Sequence, residues 1–358
     1  MLPALLLAIS AAISSPCTTA TPDCTEWVEP ASQSSRLLVY RNFPLERHNE
    51  NITRALVFVH GINRDADSHF RTALAAAFLA GALDDTVIVA PRFASKSGLA
   101  GNEAGTCGDT LATDEANWIC ETNRTDTWRS GGGAVGNGDL TSFDFMDEIV
   151  RRLANKKIFP NLKNIVVAGH SAGGQYVQRY AMTNQVHDSA GVPIYYVVSN
   201  SSSYAYVDDL RPTASALPTN MAASLPGFMP PPPKLPPPAF VPYPDAKNCT
   251  AFNNWPYGLK NRTGYVARVS EAQIQKQLAN RPVTYLLGEA DILPLGVFDT
   301  SCPATAQGPT RLGRGLAFAK YANEQQSAHH AAVVVPFCSH SQRCMFTSDL
   351  ALPIIFPK

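Results

Sequence analysis

One continuous stretch, residues 164–183, constrains the fold of this chain more than any other. It opens with the apolar, β-branched run Asn-Ile-Val-Val-Ala, which is typical of a buried strand. Gly-His-Ser-Ala-Gly-Gly follows directly, and apolar residues then recur at helical spacing. A sharp strand-to-helix turn that holds Ser171 in a strained backbone conformation needs small flanking residues, and Gly169 and Gly173 provide them. The stretch therefore predicts a buried strand whose carboxyl end presents a serine at the start of a helix.

Short apolar or β-branched runs alternate with helical patterns along the rest of the chain. Predicted strands cover residues 36–40, 54–60, 85–90, 164–168, 194–199, 283–287 and 331–335. Predicted helices cover residues 67–80, 142–154, 172–183, 270–279 and 311–324. This alternation, with strands that are apolar almost throughout, predicts an α/β fold with a mostly parallel central sheet flanked by helices on both faces.

The 358 residues suffice for one large α/β domain with insertions or for two domains, and we predict a single domain over residues 25–358. Two segments break the alternation. Residues 94–138 are rich in Gly, Thr, Asn and Asp and predict a long loop or lid above the sheet. Residues 205–268 form a second insertion with a proline-rich run at 226–244. Polyproline II cannot continue a helix or a central strand, so this run is interpreted as a spacer in preference to an SH3 or WW ligand.

Composition excludes several classes of protein. Hydrophobic residues make up 45% of the chain and charged residues 16%, with 29 Lys plus Arg against 29 Asp plus Glu. Disorder requires low hydrophobicity and high net charge, and nucleic-acid binding relies on clustered basic residues. We therefore expect a globular protein with no nucleic-acid partner. Beyond residue 20 no apolar run approaches the roughly 18 residues of a spanning helix, so no membrane span is expected in the mature chain.

The N-terminal residues predict export. Residues 1–16 contain an apolar stretch of signal-peptide length followed by small residues suited to cleavage, although no Lys or Arg precedes it. An uncleaved anchor or a plain N-terminal helix is the alternative. N-glycosylation sites at Asn51, Asn123, Asn248 and Asn261 and eight cysteines agree with the secretory route, where N-glycans and disulfides form. We therefore expect a secreted, extracellular glycoprotein.

The cysteines are expected to form disulfides, because no Cys-x-x-Cys pair and no regular Cys/His spacing indicates a zinc site. An even number of cysteines in the mature chain favours cleavage before Cys17 over cleavage after Ala20. No metal and no cofactor is predicted. The expected pairings are Cys107 with Cys120, Cys338 with Cys344, and Cys249 with Cys302.

A serine hydroxyl is a poor nucleophile near neutral pH, so Ser171 needs a base, and the base needs a carboxylate to orient it. Where Gly-x-Ser-x-Gly joins a strand to a helix, the partners follow in the order serine, acid, histidine. His187 follows the helix too closely to fold back, and His329 and His330 precede the last predicted strand. His340 lies past the carboxyl end of that strand, where such sheets place their sites. We therefore predict His340 as general base and acid.

The orienting carboxylate is predicted in the loop after the strand at residues 283–287. Gly-Glu-Ala-Asp forms the turn at the carboxyl end of this strand, and Asp291 is the favoured partner of His340. The rivals are Glu289 and Asp299 from the same loop, and Asp208 and Asp209 after the preceding strand.

The tetrahedral intermediate of acyl transfer needs an oxyanion hole, usually the N–H after the nucleophile and a second from an earlier strand-to-helix turn. Ala172 supplies the first. His-Gly ends the apolar strand at residues 54–60, so Ile62 is predicted to supply the second, with Asn63 as the alternative. His60 has no second histidine at metal-ligand spacing and is interpreted as a structural residue that hydrogen-bonds the loop.

Together, the His-Gly-Ile-Asn-Arg turn, Gly-His-Ser-Ala-Gly-Gly, Leu-Leu-Gly-Glu-Ala-Asp and the closing histidine resemble the α/β-hydrolase superfamily. Residues 168–180 and 306–318 more narrowly resemble a poorly characterised set of hydrolases that is loosely related to polyhydroxyalkanoate depolymerases and feruloyl esterases. The resemblance covers residues 37–357 and implies the α/β-hydrolase fold and a serine hydrolase activity.

Four further side chains are candidates for the substrate pocket. The region of resemblance includes Asn200 and Tyr204. Both follow the strand at residues 194–199, where side chains can reach a bound substrate. Trp128 is a candidate wall of an acyl or aromatic pocket, with a packed loop aromatic as the alternative. His170, next to Ser171 in the motif, completes the set.

The resulting hypothesis is a secreted serine hydrolase that cleaves a small-molecule or polymeric carboxylic ester through an acyl-enzyme, with Ser171, His340 and Asp291 as catalytic residues. Three alternatives remain. A lipase or polyester depolymerase would have an open apolar cleft, and a peptidase or amidase would use the same machinery. A catalytically silent binding protein would share only the fold.

Overall fold

A mostly parallel sheet forms the centre of the structure, a computed structural model that describes residues 15–30, 35–95, 108–119, 126–213, 238–294 and 296–358. The strands within these ranges are β1 (Thr25–Val28), β2 (Leu37–Arg41), β3 (Arg54–Val59), β4 (Thr86–Pro91), β5 (Gly133–Ala134), β6 (Asn137–Thr141), β7 (Asn164–His170), β8 (Ile194–Ser199), β9 (Leu210–Pro212), β10 (Phe240–Pro242), β11 (Val283–Gly288) and β12 (Ala331–Val335). Eight of them form the central sheet in the order β1-β2-β4-β3-β7-β8-β11-β12. The pairings β1–β2 and β2–β4 are antiparallel, and the other pairings in this sheet are parallel, so the predicted fold class is confirmed.

Helices cover both faces of this sheet. They are α1 (Ala66–Leu79), α2 (Ser142–Leu153), α3 (Ala172–Thr183), α4 (Glu271–Asn280), α5 (Cys302–Thr305), α6 (Arg311–Gln325), α7 (Gln342–Phe346) and α8 (Leu352–Ile355). Successive residues of a strand point to opposite faces. Val57 and Val59 of β3 accordingly belong to a core cluster with residues of α2, α3, α4 and α6, whereas Leu56 and Phe58 belong to a second cluster with residues of α1, α7 and α8. Across the described ranges, no helix is both long enough and apolar enough to cross a bilayer.

The described parts of the two insertions pack into the fold and onto each other. Trp118, from the first insertion, is buried, and its indole N–H donates to the Gly132 carbonyl at 2.9 Å. Trp255, from the second, is also buried, and its indole N–H donates to the Ser130 carbonyl at 3.0 Å. Burial of such large aromatic side chains stabilises the core, so the described parts of both insertions contribute to it. Residues 96–107, 120–125 and 214–237, which include most of the proline-rich run, lie outside the described residues.

Disulfides join three pairs of cysteines in the described part of the chain. Two are the predicted pairs, Cys338–Cys344 and Cys249–Cys302, and the third joins Cys17 to Cys24. The predicted pairing of Cys107 with Cys120 lies outside the described residues, as does most of the predicted signal peptide, residues 1–14.

Candidate active site

Ser171 lies in the turn between β7 and α3. Its backbone adopts φ 59° and ψ −117°, a strained conformation for a residue with a side chain. A Cβ on Gly169 would lie 2.2 Å from the carbonyl oxygen of Gly173, and a Cβ on Gly173 would lie 2.2 Å from that of Val59. The predicted motif therefore forms a sharp strand-to-helix turn that only glycines can flank, and this turn packs directly against the end of β3.

Ser171, His340 and Asp291 lie in one hydrogen-bonded chain. His340 Nε2 is 2.9 Å from Ser171 Oγ, and His340 Nδ1 is 2.7 Å from Asp291 Oδ2. The three residues come from the β7–α3 turn, the loop after β12 and the loop after β11. When Nδ1–H donates to the carboxylate, Nε2 carries the lone pair that accepts the serine proton. The arrangement is therefore suited to activating the serine hydroxyl.

Three of the four rival carboxylates have other partners. These are the Phe337 N–H for Glu289, the Tyr257 hydroxyl for Asp299 and the Gln326 amide for Asp208, at 3.0, 2.8 and 2.8 Å. Of the candidates considered from the sequence, only Asp291 bonds to His340 in the part of the chain that the structure describes.

Asp291 has a second partner that sequence reasoning missed. Its side chain is 2% exposed, and Oδ1 lies 3.3 Å from Nη1 of Arg311, the first residue of α6. Burial lowers the pKa of the Arg311 guanidinium, and the Asp291 carboxylate opposes that shift. The sequence carries little signal for this pair, because arginine is rarely buried and an arginine at a helix start is normally expected in solvent.

His60 hydrogen-bonds its own loop, as predicted. Its Nδ1 lies 2.8 Å from the Gly61 carbonyl, and its Nε2 accepts from the Phe93 N–H at 2.9 Å. This pairing fixes the neutral tautomer with the proton on Nδ1, and complete burial lowers the pKa of His60 to about 3. In the described residues, no three His, Cys, Asp or Glu side chains are grouped to hold a metal ion.

The two predicted oxyanion donors border the cavity beside Ser171. Ala172 is the first residue of α3, so its N–H has no acceptor within the helix. The N–H of Ile62 donates to no backbone acceptor among the described residues, and Gly61 brings it close, since a Cβ there would lie 3.8 Å from Ser171 Cβ. Ile62 and Ala172 therefore both lie at the cavity beside Ser171, and their role as oxyanion donors stays a prediction. The alternative donor, Asn63, is exposed.

Trp128 and Tyr204 do not line this cavity, which corrects two of the predicted pocket residues. Trp128 is 2% exposed and stacks on Phe93 with ring centroids 5.4 Å apart. Tyr204 is 0% exposed and stacks on Phe318 at 4.8 Å. The prediction for Tyr204 failed because a position near the carboxyl edge of a sheet does not decide whether a side chain points to the substrate or into the core. Trp128 matches the stated alternative, a packed loop aromatic.

Asn200 also lies outside the cavity lining, and instead it links the loops that carry the acid and the base. Its Oδ1 accepts from the Gly288 N–H at 2.8 Å, and its Nδ2 donates to the Ser339 carbonyl at 3.1 Å. Asn200 is 1% exposed. The fourth predicted pocket residue, His170, is buried behind His340 with ring centroids 4.7 Å apart, and burial holds its pKa well below the usual range.

A cavity of about 360 Å³ opens beside Ser171. Most of the side chains that line it are polar. They are Arg129, Ser171, Gln175, Ser202, Asp299, Thr300 and Ser301, and the apolar ones are Ile62, Ala172, Val297 and Phe298. A pocket of this size and polarity suits a short group that forms hydrogen bonds better than a long alkyl chain.

The structure is similar to two solved hydrolases. Over 92% of this chain and 97% of the other, it superposes on poly(aspartic acid) hydrolase-1 from Sphingomonas sp. KT-1, with a TM-score of 0.57 and 19% identity. Over 93% and 94%, it superposes on a poly(3-hydroxybutyrate) depolymerase from Bordetella parapertussis, with a TM-score of 0.54 and 18% identity. At these identities the likeness shows a shared fold. A search of curated proteins by sequence found no match.

The profile of the Alpha/beta hydrolase family matches residues 56–351, most of the chain. The matched range runs from β3 to the residue before α8 and includes the β7–α3 turn and the loops after β11 and β12. The chain therefore belongs to the alpha/beta hydrolase family.

Proposed function

We propose that this protein is a serine hydrolase that cleaves a carboxylic ester through a covalent acyl-enzyme. The observation that carries the proposal is the hydrogen-bonded chain from Ser171 through His340 to Asp291. A structural role for such a chain is a poor explanation, because it ends on a serine in a strained backbone conformation at the wall of a cavity.

In the first half-reaction, Ser171 Oγ attacks the ester carbonyl carbon while His340 Nε2 accepts the hydroxyl proton. Asp291 stabilises the imidazolium that forms, and the N–H groups of Ile62 and Ala172 donate to the oxyanion. The tetrahedral intermediate then collapses: its bond to the alcohol oxygen breaks, and His340 gives its proton to that oxygen. The acyl group stays on Ser171.

In the second half-reaction, water takes the place of the alcohol. His340 accepts a proton from this water as its oxygen attacks the acyl carbon, and a second tetrahedral intermediate forms at the same donors. The bond to Ser171 Oγ then breaks, and His340 returns the proton to the serine. The carboxylic acid leaves, and the starting state is restored.

The cavity favours a short, polar substrate group over a long alkyl chain. A lipase would have an open apolar cleft, whereas polar side chains such as Gln175, Ser202 and Thr300 line this one. The two similar structures are named for a polyester and for poly(aspartic acid), so polymeric esters and amides stay in the test panel as alternatives. A silent binding protein is the remaining alternative.

We also propose that the protein is secreted as a single domain over residues 25–358. The sequons at Asn51, Asn248 and Asn261 are exposed, as N-glycosylation requires. Disulfides at three places in the described residues suit an oxidising compartment. Recovery of the protein from culture medium tests secretion, and enzymatic deglycosylation followed by mass spectrometry tests glycosylation.

The function is tested by hydrolysis of p-nitrophenyl esters from acetate to palmitate, with fluorophosphonate labelling in parallel. The wild type is expected to prefer the short esters and to label. Ser171→Ala is expected to lose both activity and label, and Ser189→Ala, an exposed serine, is the matched control that keeps both. The p-nitroanilide of the best acyl group and a polyester film distinguish an amidase and a depolymerase. A wild type that neither turns over nor labels would contradict the covalent mechanism.

A further inference from the structure

Arg311 connects the acid of the proposed triad to the wall of the cavity. Its buried guanidinium lies 3.3 Å from Asp291 Oδ1 through Nη1. Its Nε donates to the Ser202 hydroxyl at 3.0 Å, and its Nη2 donates to the Val297 carbonyl at 3.0 Å. Ser202 and Val297 both line the cavity beside Ser171. One side chain therefore contacts the acid and two parts of the substrate site.

The two carboxylate oxygens of Asp291 are divided between two partners. Oδ2 accepts from His340, and Oδ1 faces Arg311. Asp291 is too buried for water to replace either partner. A buried carboxylate without a nearby cation is costly to keep ionised, and a neutral carboxylic acid would not stabilise the imidazolium that forms at His340. The guanidinium therefore favours the charged form that the proposed mechanism needs.

The same contacts restrict the position of the carboxylate. The Phe298 ring lies 4.9 Å from the Arg311 guanidinium carbon, and the Leu312 N–H donates to the Asp291 backbone carbonyl at 3.3 Å. The start of α6 and the cavity wall thus hold Asp291 from two sides. A carboxylate held in this way cannot rotate away from His340 without breaking its contact with Arg311.

We propose that Arg311 is a positioning residue of the hydrolytic site, which holds Asp291 ionised and aimed at His340 and ties it to the cavity wall at Val297. This inference rests on the proposed function. A purely structural pair makes a different prediction, because removal of one partner of a buried ion pair lowers the stability of the fold without changing the pH dependence of catalysis by the molecules that stay folded. A positioning role predicts a loss of turnover beyond any loss of stability.

The experiment compares Arg311→Met and Arg311→Lys with Arg211→Met. Arg211 is the matched control, because it is also buried and donates to a backbone carbonyl, that of Phe252 at 2.8 Å. For each variant, kcat and KM are measured on the best p-nitrophenyl ester over the pH range, together with Tm. We expect Arg311→Met to lower kcat by about 100-fold, the effect of a misplaced catalytic group.

The acid limb of the Arg311→Met pH–rate profile is expected to move to higher pH, because the positive charge beside Asp291, the partner of His340, has been removed. The other titratable groups that face the imidazole, Asp291 and His170, are unchanged in this variant. Arg311→Lys keeps the charge but not the planar fork, so it is expected to restore the acid limb and only part of kcat. Arg211→Met is expected to lower Tm and leave the profile unchanged.

A double-mutant cycle tests whether Arg311 acts through Asp291. In an Asp291→Asn background, adding Arg311→Met is expected to lower the rate of fluorophosphonate labelling by less than about 3-fold, because the group that it positions is already altered. An equal loss in both backgrounds would overturn the inference, as would an Arg311→Met profile that matches Arg211→Met. A wild type without hydrolysis or labelling would instead overturn the proposed function, and this role with it.

Discussion

Replacing Gly173 by alanine sets two physical effects against each other. Gly173 is the second residue of α3, and alanine is favoured over glycine in a helix by about 1 kcal/mol. The structure predicts that the substitution instead lowers the stability of the protein. The new Cβ would lie 2.2 Å from the Val59 carbonyl oxygen and 2.5 Å from that of His60, which is about 1 Å shorter than an ordinary van der Waals contact.

Both obstructing atoms belong to the backbone, so no side chain can rotate away to relieve the contact. Overpacking of this kind costs about 1–3 kcal/mol, occasionally more, and it exceeds the gain in helix propensity. We expect a net loss of about 1–2 kcal/mol and, for a chain of this length, a fall in Tm of about 1–3 °C. The strand end that must move leads directly into the turn that carries Ile62, so a shift of about 1 Å there is expected to lower kcat/KM by about 100-fold.

Thermal unfolding and steady-state hydrolysis of a short p-nitrophenyl ester measure the two effects. Gly138→Ala is the control, because a Cβ at that position meets no heavy atom within 4 Å. A Gly173→Ala protein with an unchanged or higher Tm and full activity would refute the close approach of α3 to β3. A lower Tm with full kcat/KM would show that α3 moves instead of the end of β3. That result would refute the link between this contact and the proposed oxyanion donors.

Three further predictions concern the loops around the site and the buried histidines. Asn200→Ala is expected to lower kcat/KM by about 10- to 100-fold, because the loops of the acid and the base lose their common partner; an unchanged labelling rate would contradict this. Cys344→Ser opens a loop of sequence separation 6 that contains His340, and is expected to cost about 2 kcal/mol of stability and to lower kcat. Cys24→Ser opens a loop of separation 7 at the sheet edge and should lower Tm alone. Burial lowers the pKa of His330 to about 4, whereas the same ring in the unfolded chain titrates near pH 6.5. As pH falls from about 6.5 to about 4, the unfolded chain therefore binds a proton that the folded chain does not, and the free energy of unfolding decreases. Asp65 and Asp147 have raised pKa values, so each of them increases the free energy of unfolding as pH falls. The five described histidines with lowered pKa outnumber these two carboxylates. We therefore expect Tm to fall over this range, and His330→Asn to reduce the slope of unfolding free energy by up to about 1.4 kcal/mol per pH unit.

Local patterns explain why much of the fold was predictable. Each predicted strand and helix forms within two residues of its expected bounds, because runs such as residues 164–168 and 283–287 are apolar over a whole strand. The sharp turn at Ser171 was predictable because the close contacts that require its flanking glycines arise largely within a few residues of the chain. His340 was predictable by elimination, since the chain has few histidines after the serine.

Contacts between distant, buried polar groups explain what was not predictable. Arg311 lies 20 residues beyond Asp291 along the chain, and the Asn200 amide contacts Ser339 across 139 residues. Neither separation follows a helical or strand period, so no local pattern marks the partner. The direction of Trp128 was open for the same reason, because tertiary packing decides whether a loop aromatic is buried.

The segment between β12 and His340 shows how contacts that were not predicted from the sequence hold His340 beside Ser171. In the sheet order, β12 lies three strands from β7, about 14 Å at the usual spacing. His340 follows the end of β12 by five residues, which span at most about 17 Å when fully extended. The segment therefore crosses the carboxyl ends of β11 and β8, with a turn at Pro336 and Phe337 on the way.

Each crossing is held by a hydrogen bond. Over β11 the Ala290 N–H donates to the Cys338 carbonyl at 2.9 Å, and over β8 the Asn200 amide donates to the Ser339 carbonyl at 3.1 Å. Gly288 leaves room for this path, since a Cβ there would lie 2.6 Å from the Cys338 carbonyl oxygen. The reach of His340 to Ser171 therefore depends on buried residues that never touch the substrate.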